Sequence, residues 1–584
     1  VESEFSLPPL ALPAQDTSSL EALAGCPSVA LFVQRAEKVK PGFALTSSNA
    51  AAISAICRGL DGLPLALELA AARVRILEPA VLLQRLDHAL DLLTSGDRDL
   101  PLRQRTLRAT ISWSYSLLEP PEQRLLRRLS VFHEGWTLEA MEQVCYGDEE
   151  RHRALDELDS LVEKGLVRVA GEGERYALLE TIRAFAAEQL HAGGEVESIR
   201  NAHADHFLTF AREVEADIKG TAQVEAVGRG RGDNANMYAA IQWLTACARA
   251  GNAEALEKGL LLAGHLNWFW HMGGQHLTGR IAVDALLALA SGHSPSPGRA
   301  RALLTSAMIG TATGDWDRAL DDGRSGYADS LAAGENEITA EATVFVGYPL
   351  LHGGRMEEAS AAFDEGIERS NGLSDFLLAL SMTLKGVLLF ATGDLPSGRA
   401  LIEQARRIQD RIGDQEVSGM ALSFLAQMSF AEGDHARALG LYRDSLAALE
   451  AVGDRPEIAR VHSEMGWTAL AGGNPRAARD AFALAVRTNE EVGSPRGTGL
   501  ALLGLAAVEA AAGRRERAVE IAAAAEALST RAGVVIDHPM DPGLAERIEA
   551  LKSSIPKGTL DGLVAKASTL SPAAILGMVA DQGP

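Results

Sequence analysis

Glycine recurs at positions 274, 314, 354, 393, 433, 473 and 513, in steps of 39 or 40 residues, and no other feature constrains the fold as strongly. Five residues after each stands a small residue: Gly279, Ala319, Ala359, Gly398, Ala438, Ala478 and Ala518. Seven residues before the last six stands another: Ala307, Gly347, Gly386, Ala426, Gly466 and Ala506. Twelve residues after the same six come Gly326, Gly366, Ala405, Ser445, Ala485 and Ala525. Two antiparallel helices cross closely only where side chains are small, and a glycine with left-handed backbone ends the first of them. A second series, at 334, 372, 413, 453, 493 and 533, ends the second helices. The spacing therefore predicts an α-solenoid of helical hairpins over residues 273–535, wound into a superhelix with a concave binding face.

The small-residue offsets are similar to those of the tetratricopeptide repeat, here lengthened between hairpins. After Ile536 the period stops at Asp537-His-Pro-Met-Asp-Pro542, and residues 536–584 read as a spacer of short helices, one opened by Ser571-Pro572.

Upstream of the array the pattern differs. Residues 101–192 read as short amphipathic helices, Leu102–Leu118, Pro121–Phe132, Thr137–Val144 and Ala154–Gly165, followed by a hairpin. Its strands are Leu166–Ala170 and Arg175–Leu179, across a Gly-Glu-Gly turn. Helices followed by such a hairpin make a winged helix, a fold commonly used to read DNA. Here six arginines (Arg103, Arg105, Arg108, Arg124, Arg127, Arg128) face five glutamates between Pro101 and Cys145, so the cationic face is weak. The net charge of −23 also repels phosphate backbones, so no direct nucleic-acid contact by this chain is expected. The arginines are expected to form an exposed face. Residues 193–272 read as a helical bridge whose Trp243, Trp268 and Trp270 suit a core.

Residues 1–100 begin with an extended, proline-punctuated stretch, where Pro9 opposes helix formation. Helices follow over Ser18–Ala24, Ser28–Val39 and Ser47–Gly59, and then Cys57-Arg-Gly-Leu-Asp-Gly-Leu-Pro-Leu-Ala-Leu-Glu-Leu-Ala-Ala-Ala-Arg73. Asp61 and Gly62 stop the preceding helix, and Pro64 sits where a first helical turn tolerates a missing N–H. This segment resembles the GLPLA motif of signal-transduction ATPases with numerous domains, the NB-ARC type. More narrowly, it resembles bacterial regulators that join such an ATPase to helical repeats and a LuxR-type DNA-binding domain. Leu7-Pro-Pro-Leu-Ala-Leu-Pro13 and Pro27-Ser-Val-Ala-Leu-Phe-Val-Gln-Arg-Ala36 are similar to family text as well.

The resemblance implies a mainly α chain: an ARC-like helical subdomain, a winged helix with a small β-hairpin, a bridge, and tetratricopeptide-like hairpins. It implies that Pro64, with Leu63 beside it, packs against adenine, and that the winged helix acts as a clamp on the nucleotide. The family places a Met-His-Asp triplet after the second wing strand, its histidine touching the β-phosphate. Here Leu178-Leu179-Glu180 stands there, and Leu179 cannot donate to phosphate. Any remaining contact falls to Glu180, Thr181 or Arg183.

No Gly-Lys-Ser/Thr occurs in the chain, so no Walker A loop can hold phosphates. Gly228-Arg-Gly-Arg-Gly232 lacks a strand before it and reads as a flexible loop, and Arg231-Gly-Asp233 as coincidence. His203 and His206, one turn apart, read as solvated helix residues. No metal site and no catalytic constellation is expected. Four dispersed cysteines fit a reducing cytoplasm, and the longest apolar run, Gly259–Trp270, is too short and too interrupted to cross a membrane.

The chain is thus expected to be no enzyme by itself and to carry no cofactor. It is read as the sensor part of an ATP-dependent transcriptional regulator, a fragment without the P-loop core and the DNA-binding domain. ATP or ADP would enter only with an upstream nucleotide-binding domain. A protein or small-molecule inducer would bind the repeat array, and an oligomer could form on activation. Two alternatives remain open: a stand-alone repeat scaffold without nucleotide dependence, and part of a cyclase–ATPase fusion.

Overall fold

The structure is a computed structural model that describes residues 9–14, 20–84, 107–147, 150–170, 175–532 and 543–580. Arg103, Arg105, the Gly-Glu-Gly turn, Gly533 and the Asp537–Pro542 break lie outside the described residues. Contacts divide the chain into two units, Val1–His206 and Phe207–Pro584.

The first unit begins with α1 (Leu20–Ala24), α2 (Pro27–Val39), α3 (Ala50–Gly59), α4 (Pro64–Arg73) and α5 (Pro79–Gln84). Phe32, Ile53, Ile56, Leu60, Leu67, Ala70 and Val74 form their core. Asp61 and Gly62 take positive φ (54° and 66°), which turns α3 sharply into α4. A Cβ on Gly62 would lie 2.2 Å from the Leu10 carbonyl oxygen, so only glycine lets the extended opening segment pass here.

Then follow α6 (Leu107–Ser116), α7 (Pro120–Leu129), β1 (Trp136–Thr137), α8 (Leu138–Cys145), α9 (Ala154–Glu163), β2 (Arg168–Ala170), β3 (Arg175–Ala177) and α10 (Glu180–Ala192). The antiparallel sheet has the order β1-β3-β2, with Trp136 opposite Tyr176 and Val169 opposite Tyr176 on the other side. Helix, strand, two helices and a two-stranded wing make a winged helix. Leu126, Leu129, Phe132, Trp136, Met141 and Leu161 fill its interior. Glu119 and Glu122 cap α7 reciprocally, with Pro120 in the first turn, as its sequence favours.

A long helix, α11 (Val196–Ile218), contains the division between the units. The second unit continues with α12 (Gln223–Arg249), α13 (Ala253–His265), α14 (Asn267–Met272) and α15 (His276–Leu289). Antiparallel hairpins then succeed one another: α16 (Pro297–Thr313) with α17 (Trp316–Ala333), α18 (Asn336–His352) with α19 (Met356–Ser370), and α20 (Asp375–Ala391) with α21 (Leu395–Ile412). They are followed by α22 (Gln415–Ala431) with α23 (His435–Val452), α24 (Arg455–Ala471) with α25 (Pro475–Glu491), and α26 (Pro495–Ala511) with α27 (Arg515–Ala532). Short helices α28 (Leu544–Ser553), α29 (Lys557–Ala567) and α30 (Pro572–Ala580) close the unit, and Leu544, Ile548, Ala567 and Ile575 join the apolar core of the last hairpins.

Every described glycine of both periodic series has a left-handed φ, from 65° to 93°. The small residues stand where helices cross: a Cβ on Gly386 would lie 2.5 Å from Ile402 Cγ1, and one on Gly398 2.6 Å from the Gly386 carbonyl oxygen. Side chains of Asp315, Asp394, Asp434 and Asn474 cap the second helices, and Ser296, Ser374, Asp414, Asp454 and Ser494 the first ones. Such caps contribute about 1 kcal/mol each.

Two expectations are corrected. Gly228–Gly232 is not a loop but part of the continuous helix α12. Gly230 is required there because a Cβ would lie 2.7 Å from the Phe269 ring, and Arg231 donates to the Val452 and Gly453 carbonyls at 3.2 Å each. His203 is not solvated but buried, its ring edge-on to Phe132 at 5.4 Å. Trp268 and Trp270 are buried as expected of a core, whereas Trp243 is half-buried.

Candidate functional site

The four site residues taken from the sequence come from the start of α4 and the start of α10, and the fold of the first unit joins these two helix ends. Asp61, in the turn before α4, accepts a 2.5 Å hydrogen bond from the backbone N–H of Glu180, the first residue of α10. Burial pushes the Asp61 carboxyl up, against the pull of the Glu180 and Thr181 amides and the charge of Arg168. Leu179 precedes α10 without capping it, so a carboxylate 119 residues away fills that role.

Leu63 is half-buried, and Pro64 is exposed at the first position of α4. Glu180 is exposed and holds Arg183 in a bidentate pair, Oε2 to Nε at 2.8 Å and Oε1 to Nη2 at 2.5 Å. Arg183 Nη1 also reaches the Ser130 carbonyl at 3.4 Å. Next to this pair lies His133, whose imidazole is pushed down to about 4 by burial and the Arg183 charge, so it is neutral at pH 7. Pro64 thus presents a flat apolar face near a paired Arg–Glu and an amide terminus already held by a carboxylate. The motif reading missed Asp61 and His133. Asp61 had a signal, an aspartate forced into a left-handed turn directly before the motif, but a stop signal alone did not reveal its partner.

Among the described residues, the arginines of the winged-helix helices are paired with acids. Arg127 and Arg128 are not an exposed face as expected: both are largely buried and bind Glu195, each at 2.5 Å. Arg124 pairs with Glu150 and Arg108 with Glu188. Helix α9, directly before the wing, carries Asp156, Glu157, Asp159 and Glu163 and no lysine or arginine. A groove-reading helix of that charge would repel phosphate.

In the second unit the bridge packs against the inner ends of the first helices of the hairpins. Lys219 Nζ contacts Glu215 at 2.8 Å and Glu341 at 3.2 Å, and Arg301 and His265 reach Glu215 at 3.0 and 2.5 Å. Burial opposes the Glu215 charge, but Lys219, His265 and Arg301 outweigh it and hold the carboxyl well below its usual range. Trp268 donates to Glu341 at 2.7 Å and lies edge-on to Phe376 at 5.1 Å. Gln223 binds Asp414 at 3.0 Å, and Gly274 approaches Val492. The chain's own bridge therefore occupies part of the first-helix side of the hairpins. Outside it, a shallow groove between α21 and α23 mixes Arg406, Arg407 and Arg437 with Glu403 and Asp410 and selects no charge. Among the described residues no helix is long and apolar enough to cross a membrane.

Comparison with known proteins agrees with this architecture. Residues 118–191 match the winged helix-turn-helix domain family, and residues 417–491 match the tetratricopeptide repeat family. A Mycobacterium tuberculosis (strain ATCC 25618 / H37Rv) protein named "Putative HTH-type transcriptional regulator" is 33% identical over 451 residues, covering 74% of this chain and 49% of that protein. The chain thus spans about half the length of the curated relatives it matches. An uncharacterized protein of the same strain is 37% identical over 183 residues, 31% of this chain and 47% of that one. Among solved structures, a signal transduction ATPase with numerous domains with a tetratricopeptide repeat sensor, from Pyrococcus horikoshii, aligns at TM-score 0.45. It is 15% identical and covers 95% of this chain and 73% of that one.

Proposed function

We propose that this chain is the sensor and coupling portion of an ATP-dependent transcriptional regulator of the NB-ARC, LuxR-associated type. The carrying observation is the Asp61 carboxylate on the first amides of α10, which ties the GLPLA turn to the winged helix. In this reading the start of α10 responds to nucleotide phosphate, and the Asp61 contact is the bond that such a phosphate competes with. Pro64 and Leu63 supply the adenine-facing surface, and Arg183, released from Glu180, supplies a cation. The relatives named as transcriptional regulators support a regulatory role. The acidic α9 supports a clamp role for the winged helix over DNA contact. Without a phosphate loop the chain alone hydrolyses no ATP, and nucleotide binds only with a nucleotide-binding domain. An inducer, protein or small molecule, acts by displacing the bridge from the array.

The test is calorimetric titration of ADP and ATP into the chain joined to a nucleotide-binding domain, if the gene encodes one upstream. Pro64→Ala and Arg183→Ala should each weaken binding, about tenfold for a loss of 1.4 kcal/mol. Equal affinities in folded proteins, or no such domain in the gene, would leave the stand-alone repeat scaffold as the better reading.

A further inference from the structure

The buried charges of the second unit are balanced at one end and unbalanced at the other. Around Glu215 and Glu341 stand Lys219 and Arg301. Further along the array, Glu416 near the start of α22 and Asp454 at the cap of α24 face His271 of the bridge helix α14. The cations near them in sequence are committed elsewhere: Arg455 to Glu491, Arg411 to Asp375 at 2.8 Å, and Arg460 to Glu457 and Glu464 at 2.5 Å each.

We propose that His271, Glu416 and Asp454 bind one divalent transition-metal ion, best matched by zinc, which fastens the bridge to two successive hairpins. One ligand atom from each of the three lies within 4.8 Å of the others. Zinc bonds of roughly 2.0–2.2 Å place tetrahedral ligand atoms about 3.4 Å apart, so modest side-chain rotations close the set. Glu416 is 1% exposed and Asp454 0%. Among the described residues neither oxygen of Glu416, nor Asp454 Oδ2, nor His271 Nδ1 meets a hydrogen-bond partner. Asp454 Oδ1 is meanwhile occupied by the Glu457 amide at 3.0 Å, so its free oxygen is the one available to a metal.

Buried polar atoms this complete in their isolation are costly unless neutralised. A proton or a cation can neutralise them. In the protonated alternative, burial and the neighbouring acids raise the Glu416 carboxyl well above its usual range, and burial with Glu457 does so for Asp454. A dication removes both penalties together and takes the imidazole lone pair, which a proton on a carboxylate does not. Calcium requires about six to eight oxygens and magnesium an octahedron rich in water, neither of which one imidazole and two carboxylates supply. A second layer is present: Gln223 accepts the Glu416 amide at 3.1 Å and donates to Asp414 at 3.0 Å, orienting the start of α22.

The experiment uses the whole chain, stripped with a chelator and titrated with zinc sulfate against a competing chromophoric chelator. Wild type should bind one zinc per chain, and X-ray absorption should read one imidazole with oxygen neighbours. His271→Ala and Glu416→Gln should each lose on the order of 100-fold or more in affinity, since even outer partners of a metal cost 10–100-fold. Zinc should raise the melting temperature of wild type and leave that of Glu416→Gln unchanged. Without zinc, Glu416→Gln should melt no lower than wild type, because it removes a buried acid, so this variant keeps the test readable if His271→Ala misfolds. Absence of stoichiometric zinc, unchanged affinity in folded Glu416→Gln, or sulfur ligands in the absorption spectrum would overturn the assignment.

Discussion

Replacing Gly398 with alanine tests how closely the helices of the array cross. The new Cβ would sit 2.6 Å from the Gly386 carbonyl oxygen and 3.2 Å from the Phe390 nitrogen, both backbone atoms of the facing helix α20. Ordinary carbon contacts begin near 3.4 Å, so α20 and α21 must part by roughly 0.8 Å, and overpacking of this kind costs about 1–3 kcal/mol. Alanine also regains about 1 kcal/mol of helix propensity over glycine. The chain contains its own control for that gain. Gly440 lies inside α23 with nothing within 4 Å of its virtual Cβ, so Gly440→Ala receives the propensity term alone. Gly440→Ala should therefore stabilise by about 1 kcal/mol, and Gly398→Ala should fall below it by the packing term of about 1–3 kcal/mol. Urea unfolding followed by circular dichroism, with amide exchange of α20 and α21 as a local readout, measures both. Equal shifts in the same direction would refute the close crossing.

Other outcomes follow from the same contacts. Ala438→Leu and Ala478→Leu, at fully buried crossings, should each destabilise by on the order of 1–3 kcal/mol in urea melts. Burial opposes the Glu195 charge, but hydrogen bonds from Arg127 and Arg128 outweigh it and lower its pKa. Its stabilising contribution should be complete above its unfolded value near 4.5 and fade as pH falls through the lower folded value, so acid unfolding should lose this component in Glu195→Gln. Asp61→Ala should weaken amide-exchange protection in the first turn of α10 and cost about 1 kcal/mol, as loss of a cap does, while leaving the array's unfolding unchanged. Purified chain incubated with ATP and magnesium should release no phosphate above buffer; turnover abolished by a substitution in this chain would contradict the proposed division of labour.

The array was legible because its constraint is local and repeated. A left-handed glycine and a small crossing residue return every 40 residues or so, and each copy checks the others. The winged helix was legible for the same reason, since a helix, a short strand and a turn each carry their own pattern. Gly228–Gly232 misled because three glycines in five residues lower helix propensity, while the compensating contact, Phe269 against Gly230, comes from a distant segment. His203 misled because a polar side chain on a helix gives no sign of the Phe132 ring it meets. The buried acids were overlooked although a signal existed: the residue before each first helix is Ser296, Glu335, Ser374, Asp414, Asp454 and Ser494, and Asp414 and Asp454 put acids on two successive copies. The period placed the turn glycines just before that position and could not say that His271 would arrive beside it.

The bridge changes how the array should come apart. A plain solenoid has only nearest-neighbour couplings, so its ends fray and its melting broadens as units peel away one at a time. Here Gln223 is bonded to Asp414 and Arg231 to Gly453, and Gly274 lies so near Val492 that an added Cβ would meet it at 3.2 Å, linking residues some 190 to 220 positions apart. Closing loops of that length costs little more than closing short ones, because the entropy grows only with the logarithm of length. The cross-links therefore turn an open row of dominoes into a closed ring, in which neither the fourth nor the fifth hairpin can loosen without releasing the first helices of the unit. Such a unit should melt sharply and from the middle of its sequence as readily as from its end. During synthesis, helices made first must wait for partners more than 190 residues behind them.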